Sequence, residues 1–309
     1  MSARSELASP PARARKAAGT SQATVLYDLP GPRARRRNAI IGAVAIVGIA
    51  AVIAFVAYRF WATGQFEARK WEQFTYKAIQ RELLAGLWAT LKAAGIATVL
   101  ALLFGALFAS ARLSDKWLLR APATFVVELF RAIPLLILIF FGYYVPLQYG
   151  WPLPKMWALV IGLTLYNGSV LAEIFRAGIN AVPRGQSESA YAIGLRKNQV
   201  LRLILLPQAV RAMLPAIVSQ LVVLLKDTAL GFIITYPELL FVGKQIGGRL
   251  TFGLPYVPTY LIIAAIYIGI CGMLSVLAWW LQRRMGRARR TAAGVVPIRD
   301  FGDGDAGPL

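Results

Sequence analysis

Long runs of apolar residues alternate with shorter polar and basic segments along this chain. A helix of about 20 apolar residues crosses the hydrocarbon core of a bilayer, and several of these runs reach or approach that length. The pattern predicts six membrane-spanning helices, at residues 39–61, 83–111, 121–146, 157–179, 208–230 and 257–281. We therefore expect an all-α polytopic membrane protein whose polar segments form the loops between its spans.

Composition supports this class of protein, and the distribution of charge predicts the orientation of the chain in the membrane. Apolar residues make up 58% of the 309 residues, and the formal net charge is +20. Arginine and lysine are concentrated in the segments on the same side as the N-terminus, which the positive-inside rule places in the cytoplasm. An even number of spans then puts both termini there. Nucleic-acid binding is not expected, because the basic residues are spread over loops and do not form one basic domain.

The segments outside the apolar spans have compositions of their own. Residues 1–38 are rich in Ala, Arg, Ser and Pro, and both this segment and the tail at 285–309 are expected to be disordered. The span at 39–61 is too long for the core of a signal peptide, so it is interpreted as a retained anchor. Residues 62–81 mix aromatic and charged side chains, which is typical of an amphipathic segment at the outer membrane surface.

A polar, basic loop at 182–207 is the most informative segment of the chain. Its pattern is a helix, a glycine break, a second helix and a proline. Ser187 or Gln186 can cap a short helix that begins near Glu188, and Gly194 can end that helix with a positive φ angle. Such a loop is suited to being held by another protein. An ordinary solvated loop that satisfies the positive-inside rule is the alternative.

Two Glu-x-x-Arg motifs lie inside predicted spans. Glu128 with Arg131, and Glu173 with Arg176, are spaced so that each pair meets on one helix face. Ionisable groups at membrane depth are rare and need a partner or a function. Both pairs lie toward the predicted cytoplasmic side, where they are either structural salt bridges at helix ends or parts of an inner gate. Pro134, just after the first pair, is expected to kink its span.

Two lysines lie in the predicted outer half of the membrane. Lys92 is in the second span, and Lys226 is followed by Asp227 and Thr228 near the outer end of the fifth. A cation that faces a translocation cavity would favour a substrate carboxylate, so these four residues are candidates for the translocation path. Alternatively, Lys226 and Asp227 lie at the membrane interface and Lys92 extends its ammonium group to the membrane surface.

The sequence lacks several residues and motifs that other functions need. It has no histidine and no G-x-x-x-x-G-K-[ST] phosphate-binding loop, and Cys271 is its single cysteine. ATP hydrolysis, a metal site and a disulfide framework are therefore not expected in this chain. Energy from nucleotide hydrolysis would have to come from a partner.

An ordered series of motifs over residues 82–284 resembles one known family. The motifs are ELFRAIPLLILIFF, LAEIFRAGINAVPRGQSESAYAIGL, ILLPQAVRAMLPAIVSQLVVLLKDTAL and YPELL. Together they resemble the polar amino-acid branch of the ABC-importer permeases, whose EAA loop is matched at Glu188, Ala190 and Gly194. Ser189 stands where that family usually has alanine, so a small side chain is retained.

The resemblance implies a type I ABC-importer permease fold, with a five-helix core formed by the second to sixth spans and one extra N-terminal span. It implies a non-catalytic subunit without a cofactor, in which the loop residues Glu188, Ser189, Ala190 and Gly194 couple to an ABC ATPase dimer that uses ATP and Mg. It further implies a second permease subunit and an extracytoplasmic amino-acid-binding protein as partners, in the lipid of the cell membrane.

The substrate and the competing functions follow from narrower features. The segment VLYDLPGPRARRRN and the extra first span are similar to actinobacterial glutamate-uptake permeases, so glutamate is the expected substrate, with glutamine, asparagine and other polar amino acids as alternatives. An ion-coupled secondary transporter is the competing class, and it predicts inverted repeats around discontinuous helices. A membrane scaffold without transport explains neither the loop nor the charges inside the spans.

Overall fold

The computed structural model describes residues 31–292, except for the side chains of 281, 282 and 284–292. The expectations of disorder before residue 31 and after residue 292 lie outside the described residues. The chain divides into two units, Met1–Gly64 and Gln65–Leu309. Within the described range the structure is helical between short turns, and it contains no strand.

The α-helices follow the alternation of apolar and polar segments. The first unit contains α1 (Pro32–Ala62). The helices of the second unit are α2 (Ala68–Glu72), α3 (Lys77–Arg112), α4 (Trp117–Ala132), α5 (Leu135–Gln148), α6 (Lys155–Asn180), α7 (Arg184–Ala192), α8 (Lys197–Gln199), α9 (Leu206–Asp227), α10 (Leu239–Gly247) and α11 (Tyr256–Ala292). Among the described residues, five helical segments are long and apolar enough to cross a membrane, or six if α4 and α5 form one span. The expected all-α polytopic architecture is confirmed.

The first and last long helices extend beyond their apolar stretches. α1 begins at Pro32, before the predicted start of the span at 39, and α11 continues to Ala292, past the predicted end at 281. Parts of the two segments expected to be disordered are therefore helical. Proline at the first helical position already has a helical φ angle, and arginine is a good helix former, so basic segments prolong both helices.

The predicted third span, at 121–146, is not one straight helix. It consists of α4 and α5, whose axes meet at 98°. Ile133, just before Pro134, has an extended backbone with φ −83° and ψ 125°. The ring of a proline disfavours the helical conformation of the preceding residue, and its nitrogen cannot donate a hydrogen bond. The expected kink at Pro134 is therefore a complete break, after which a new helix starts.

Close packing of α3 against α6 forms the centre of the second unit. A Cβ atom at Gly105 would lie 2.9 Å from Leu171 Cβ and 3.2 Å from the backbone nitrogen of Ala172. A Cβ atom at Gly168 would lie 2.8 Å from Phe104 Cδ1. Small residues at these crossings allow the two helix backbones to approach closely, as is typical of packed membrane helices.

Gly105→Ala should destabilise the α3–α6 contact, because the added methyl group meets backbone atoms that cannot move aside. We expect the free energy of unfolding to fall by about 1–3 kcal/mol, the usual range for overpacking. Gly95→Ala is the matched control, since the same helix leaves nothing within 4 Å of a Cβ at that position. The measurement is the thermal unfolding midpoint in detergent. Equal midpoints for the two variants would contradict the contact.

Candidate functional site

The polar loop at 182–207 folds as two short helices, α7 and α8, separated by a tight turn. A π-helical turn (Val200–Leu205) then leads into α9. Gly194 lies in the tight turn with φ +84°, a left-handed conformation that glycine adopts without steric cost. Its N–H donates to the carbonyl oxygen of Tyr191 at 2.9 Å. The glycine break expected from the sequence is therefore present.

The start of α7 differs from the expectation. No side chain of the described structure caps this helix, so the prediction that Ser187 or Gln186 caps a helix beginning near Glu188 is wrong. Pro183 instead precedes the first helical residue, Arg184, and its fixed φ angle suits a helix start. Ser187 Oγ donates to the carbonyl oxygen of Arg184 at 2.7 Å, within the helix. The helix therefore places Glu188 at its middle.

The two sides of α7 differ in exposure. Ala190 is 5% exposed, whereas Glu188 and Ser189 are exposed to the surroundings. Ile193, next to the turn, is 77% exposed. An exposed carboxylate and a large exposed apolar side chain, on one loop whose shape is fixed by a turn, offer a surface that another protein can bind.

Two side-chain contacts hold this loop against the helices around it. Gln208 Nε2, in α9, donates to Gln186 Oε1 at 3.2 Å. The ammonium group of Lys197 pairs with the carboxylate of Asp115, which lies in the turn between α3 and α4. The loop at 182–207 and the turn between α3 and α4 therefore lie at the same end of the second unit, which we call the loop end.

A residue that the sequence did not single out joins the two Glu-x-x-Arg pairs. Arg112, the last residue of α3, donates from Nη1 to Glu173 Oε2 at 2.9 Å and from Nη2 to Glu128 Oε1 at 3.2 Å. On α6, Arg176 pairs with Glu173, and on α4 the Nη1 of Arg131 lies 3.8 Å from Glu128 Oε1. The side chain of Arg112 is only 8% exposed. These five residues form one group at the loop end, which we call the arginine cluster.

A cavity of about 770 Å³ is lined by residues of α9, α10 and α11 and of the turn that follows α9. Most of its lining is apolar, and the polar side chains on its wall include Lys226, Tyr260, Tyr267 and Ser275. Its volume lies in the range of small-molecule sites, in which a few polar groups fix the orientation of a ligand, and its wall is open to the surroundings, with Ile268 72% exposed. A cation on the wall favours a ligand that carries a carboxylate.

The other three path candidates are not on the wall of this cavity. Lys92 is exposed on α3. Thr228 is buried, and its hydroxyl donates to the carbonyl oxygen of Leu225 at 2.6 Å. Asp227 is half-buried beside the amide of Asn167. Of the four residues, the structure therefore brings only Lys226 to the cavity.

A buried carboxyl group supports the cavity wall. Glu238 is fully buried and caps α10 by accepting the N–H groups of Leu240 and Phe241, both at 2.7 Å. It also accepts the hydroxyl of Tyr267, a residue of the cavity wall, at 3.1 Å. Glu238 lies in the segment between the spanning helices, where burial raises its pKa to about 7. This role was not predicted from the sequence, in which its only signal is a Glu before an apolar run.

A comparison with protein families identifies the chain. The family model described as the binding-protein-dependent transport system inner membrane component matches residues 101–287, which is more than half of the chain. The chain belongs to this family. It is therefore a non-catalytic transport component of a membrane, and the family resemblance of its motifs is confirmed.

Individual relatives and solved structures are similar over most of the second unit. The glutamate transport system permease protein GluD of Corynebacterium glutamicum is 42% identical over 76% of this chain and 87% of its own length. The probable glutamine ABC transporter permease protein GlnP of Bacillus subtilis is 36% identical over 67% of this chain and 97% of its own. The crystal structure of an amino acid ABC transporter with histidines has a TM-score of 0.63 and 31% identity, covering 66% of this chain and 94% of that one.

A more distant structure shares the fold alone. The methionine ABC transporter MetNI, in an inward-facing conformation, has a TM-score of 0.54 and 20% identity, covering 69% of this chain and 98% of that one. The type I ABC-importer permease fold expected from the motifs is thus confirmed for the second unit. Among the described residues, no group of three or more His, Cys, Asp or Glu side chains could hold a metal ion.

Proposed function

We propose that this chain is a permease subunit of an ATP-driven ABC importer for amino acids, with glutamate as the substrate. The observation that carries this proposal is α7, a short helix closed by Gly194 that exposes Glu188 and Ser189 at the loop end. The family gives such a chain a role in binding-protein-dependent transport. A helix of this kind is the surface on which an ATPase subunit would dock, with Glu188 and Ser189 as exposed contacts, while the buried Ala190 and the turn at Gly194 would hold the helix in shape.

Two similar proteins and one side chain favour glutamate as the substrate. GluD, at 42% identity, is named for glutamate, and the glutamate/aspartate import permease GltK of Escherichia coli is 35% identical over 65% of this chain. An acidic amino acid carries one more carboxylate than a neutral one, and a carboxylate that leaves water needs a cation or a hydrogen-bond donor. Lys226 supplies a cation on the cavity wall. Glutamine is the alternative substrate, because GlnP is 36% identical.

The proposed partners follow from the proposed function as an importer subunit. An ABC ATPase dimer, which uses ATP and Mg, would bind the loop end from the cytoplasm. A second permease subunit would complete the pathway, and an extracytoplasmic binding protein would deliver the amino acid at the opposite end. The distribution of basic residues supports this orientation, in which both termini are cytoplasmic.

Transport would proceed by alternating access between two arrangements of the helices. ATP-driven closure of the ATPase dimer would move α7 together with the loop end, and the spanning helices would rotate with it. Glu128, Arg131, Glu173 and Arg176, at this same end, would then lie where an inner gate opens and closes.

Co-purification tests the proposal most simply. A tagged chain is extracted from its native membrane in mild detergent, and the proteins that elute with it are identified by mass spectrometry. We expect an ABC ATPase and a second permease subunit. Elution without any ATPase, while the chain remains folded by its thermal unfolding midpoint, would refute the proposal.

A further inference from the structure

Arg112 links three helices, of which α3 and α4 are consecutive in sequence and α6 is not. Its guanidinium group, at the end of α3, contacts Glu173 of α6 at 2.9 Å and Glu128 of α4 at 3.2 Å. A planar guanidinium can hold two carboxylates at once, whereas the ammonium group of a lysine acts as a point charge. The side chain of Arg112 is 8% exposed and that of Glu173 is 26% exposed, so their pair is partly shielded from the screening that weakens surface salt bridges, whereas Glu128 is 55% exposed.

Arg112 joins α3 to α6 and to α4, and these two pairs of helices differ in how firmly they are packed together by other contacts. α3 and α6 are already fixed to each other by the crossings at Gly105 and Gly168, where no Cβ atom fits. α4 contributes only two buried side chains of its own, Ala123 and Val127. The bond from Arg112 to Glu128 therefore fastens the less firmly packed helix to the central pair.

α6 leads into α7 through only three residues, 181–183. α4 ends at the 98° break, where α5 begins. We infer that Arg112 is a positioning residue, which makes α4 move as one body with α3, α6 and the loop helix α7, so that ATP hydrolysis by the partner is converted into rearrangement of the α4–α5 break. This inference rests on the proposed function.

Removing Arg112 leaves no unpaired carboxylate. Glu173 keeps Arg176, and Glu128 keeps Arg131, each on its own helix. Loss of a buried salt-bridge partner is strongly destabilising when it strands the other charge, and that situation does not arise here. Arg112→Gln is therefore expected to fold and to lose the connection between helices.

The test compares solute transported with ATP hydrolysed, in proteoliposomes that contain the complex purified through this chain. For Arg112→Gln we expect the ratio of glutamate transported to ATP hydrolysed to fall about five-fold, in the range typical of coupling between sites. Glu128→Gln, which alters an exposed side chain, weakens the link from Arg112 to α4 and the Arg131 pair within α4 but keeps the link to α6, should lower the ratio similarly. Arg112→Lys should give an intermediate ratio. Arg120→Gln is the control, since the described structure gives Arg120 no salt bridge and the charge change is the same.

The ratio separates positioning from general stability. A residue that only stabilises the fold would lower uptake and hydrolysis together and leave their ratio unchanged. A wild-type ratio in Arg112→Gln and Glu128→Gln would overturn the inference, and so would a fall of the same size in Arg120→Gln. If Arg112→Gln does not assemble, the exposed Glu128→Gln decides the question alone. A wild-type complex that contains no ATPase would overturn the proposed function and the inference with it.

Discussion

Glu188→Lys should reduce uptake by the assembled transporter to background while leaving the amount of the chain in the membrane unchanged. Glu188 is exposed at the middle of α7, so reversing its charge affects a partner more than the fold. A like charge placed where an opposite charge is bound costs several kcal/mol in docking. The measurement is uptake of labelled glutamate by cells, with the chain quantified in isolated membranes. Uptake at the wild-type rate with normal expression would contradict the docking role of α7.

The backbone of the same loop offers a second variant with a matched control. Gly194→Val places a branched side chain at φ +84°, which costs about 1–2 kcal/mol in the left-handed region. Gly185→Val changes a helical position of α7 at which a Cβ atom also meets nothing within 4 Å. We expect the first variant to lower uptake by roughly 5–30-fold, the factor that such a cost represents, and the second to retain most of it. Equal uptake in the two would show that the turn geometry is not needed.

Lys226→Gln should lower glutamate uptake about ten-fold and affect glutamine uptake much less. Lys226 lies on the cavity wall, and a hydrogen bond to a charged group contributes about 1.5–3 kcal/mol. Glutamine carries no side-chain charge and therefore loses less. The measurement is the initial rate for each labelled amino acid at equal expression.

Two further lysine variants make this result specific. Lys244→Gln, in an exposed position of α10 that is not on the cavity wall, should leave both rates near wild type. A selective loss of glutamate uptake in Lys92→Gln, with Lys226→Gln unaffected, would move the acidic-substrate pathway to α3. Glutamate uptake blocked by excess arginine alone would contradict an acidic substrate altogether.

Features that depend on local sequence were predictable. Spanning helices follow from the length of apolar runs, the turn after α7 from Gly194, and the break between α4 and α5 from Pro134. Each is set within a few residues by hydrophobicity or by the backbone preferences of glycine and proline. The size of the break was not predictable, because its 98° angle depends on where α5 packs.

Features that depend on distant residues could not be predicted. Arg112 lies 16 and 61 residues from the two carboxylates it joins, so no local spacing reveals the arginine cluster. The hydroxyl of Tyr267 reaches Glu238 from 29 residues away, on another helix. Lys92 and Lys226 both lie in the predicted outer half of a span, so the sequence does not distinguish them as candidates. The packing of α9 against α11 places Lys226 on the cavity wall.

ATP-dependent uptake by the purified complex tests the central claim most directly. The complex isolated through this chain is reconstituted in proteoliposomes with its binding protein, and accumulation of labelled glutamate is followed with and without ATP on the side of the ATPase. We predict accumulation that requires ATP and continues when ionophores collapse the proton and sodium gradients, because the energy enters through the partner docked at α7. Accumulation driven by an ion gradient in the absence of ATP would contradict the assignment of this chain to an ATP-driven importer.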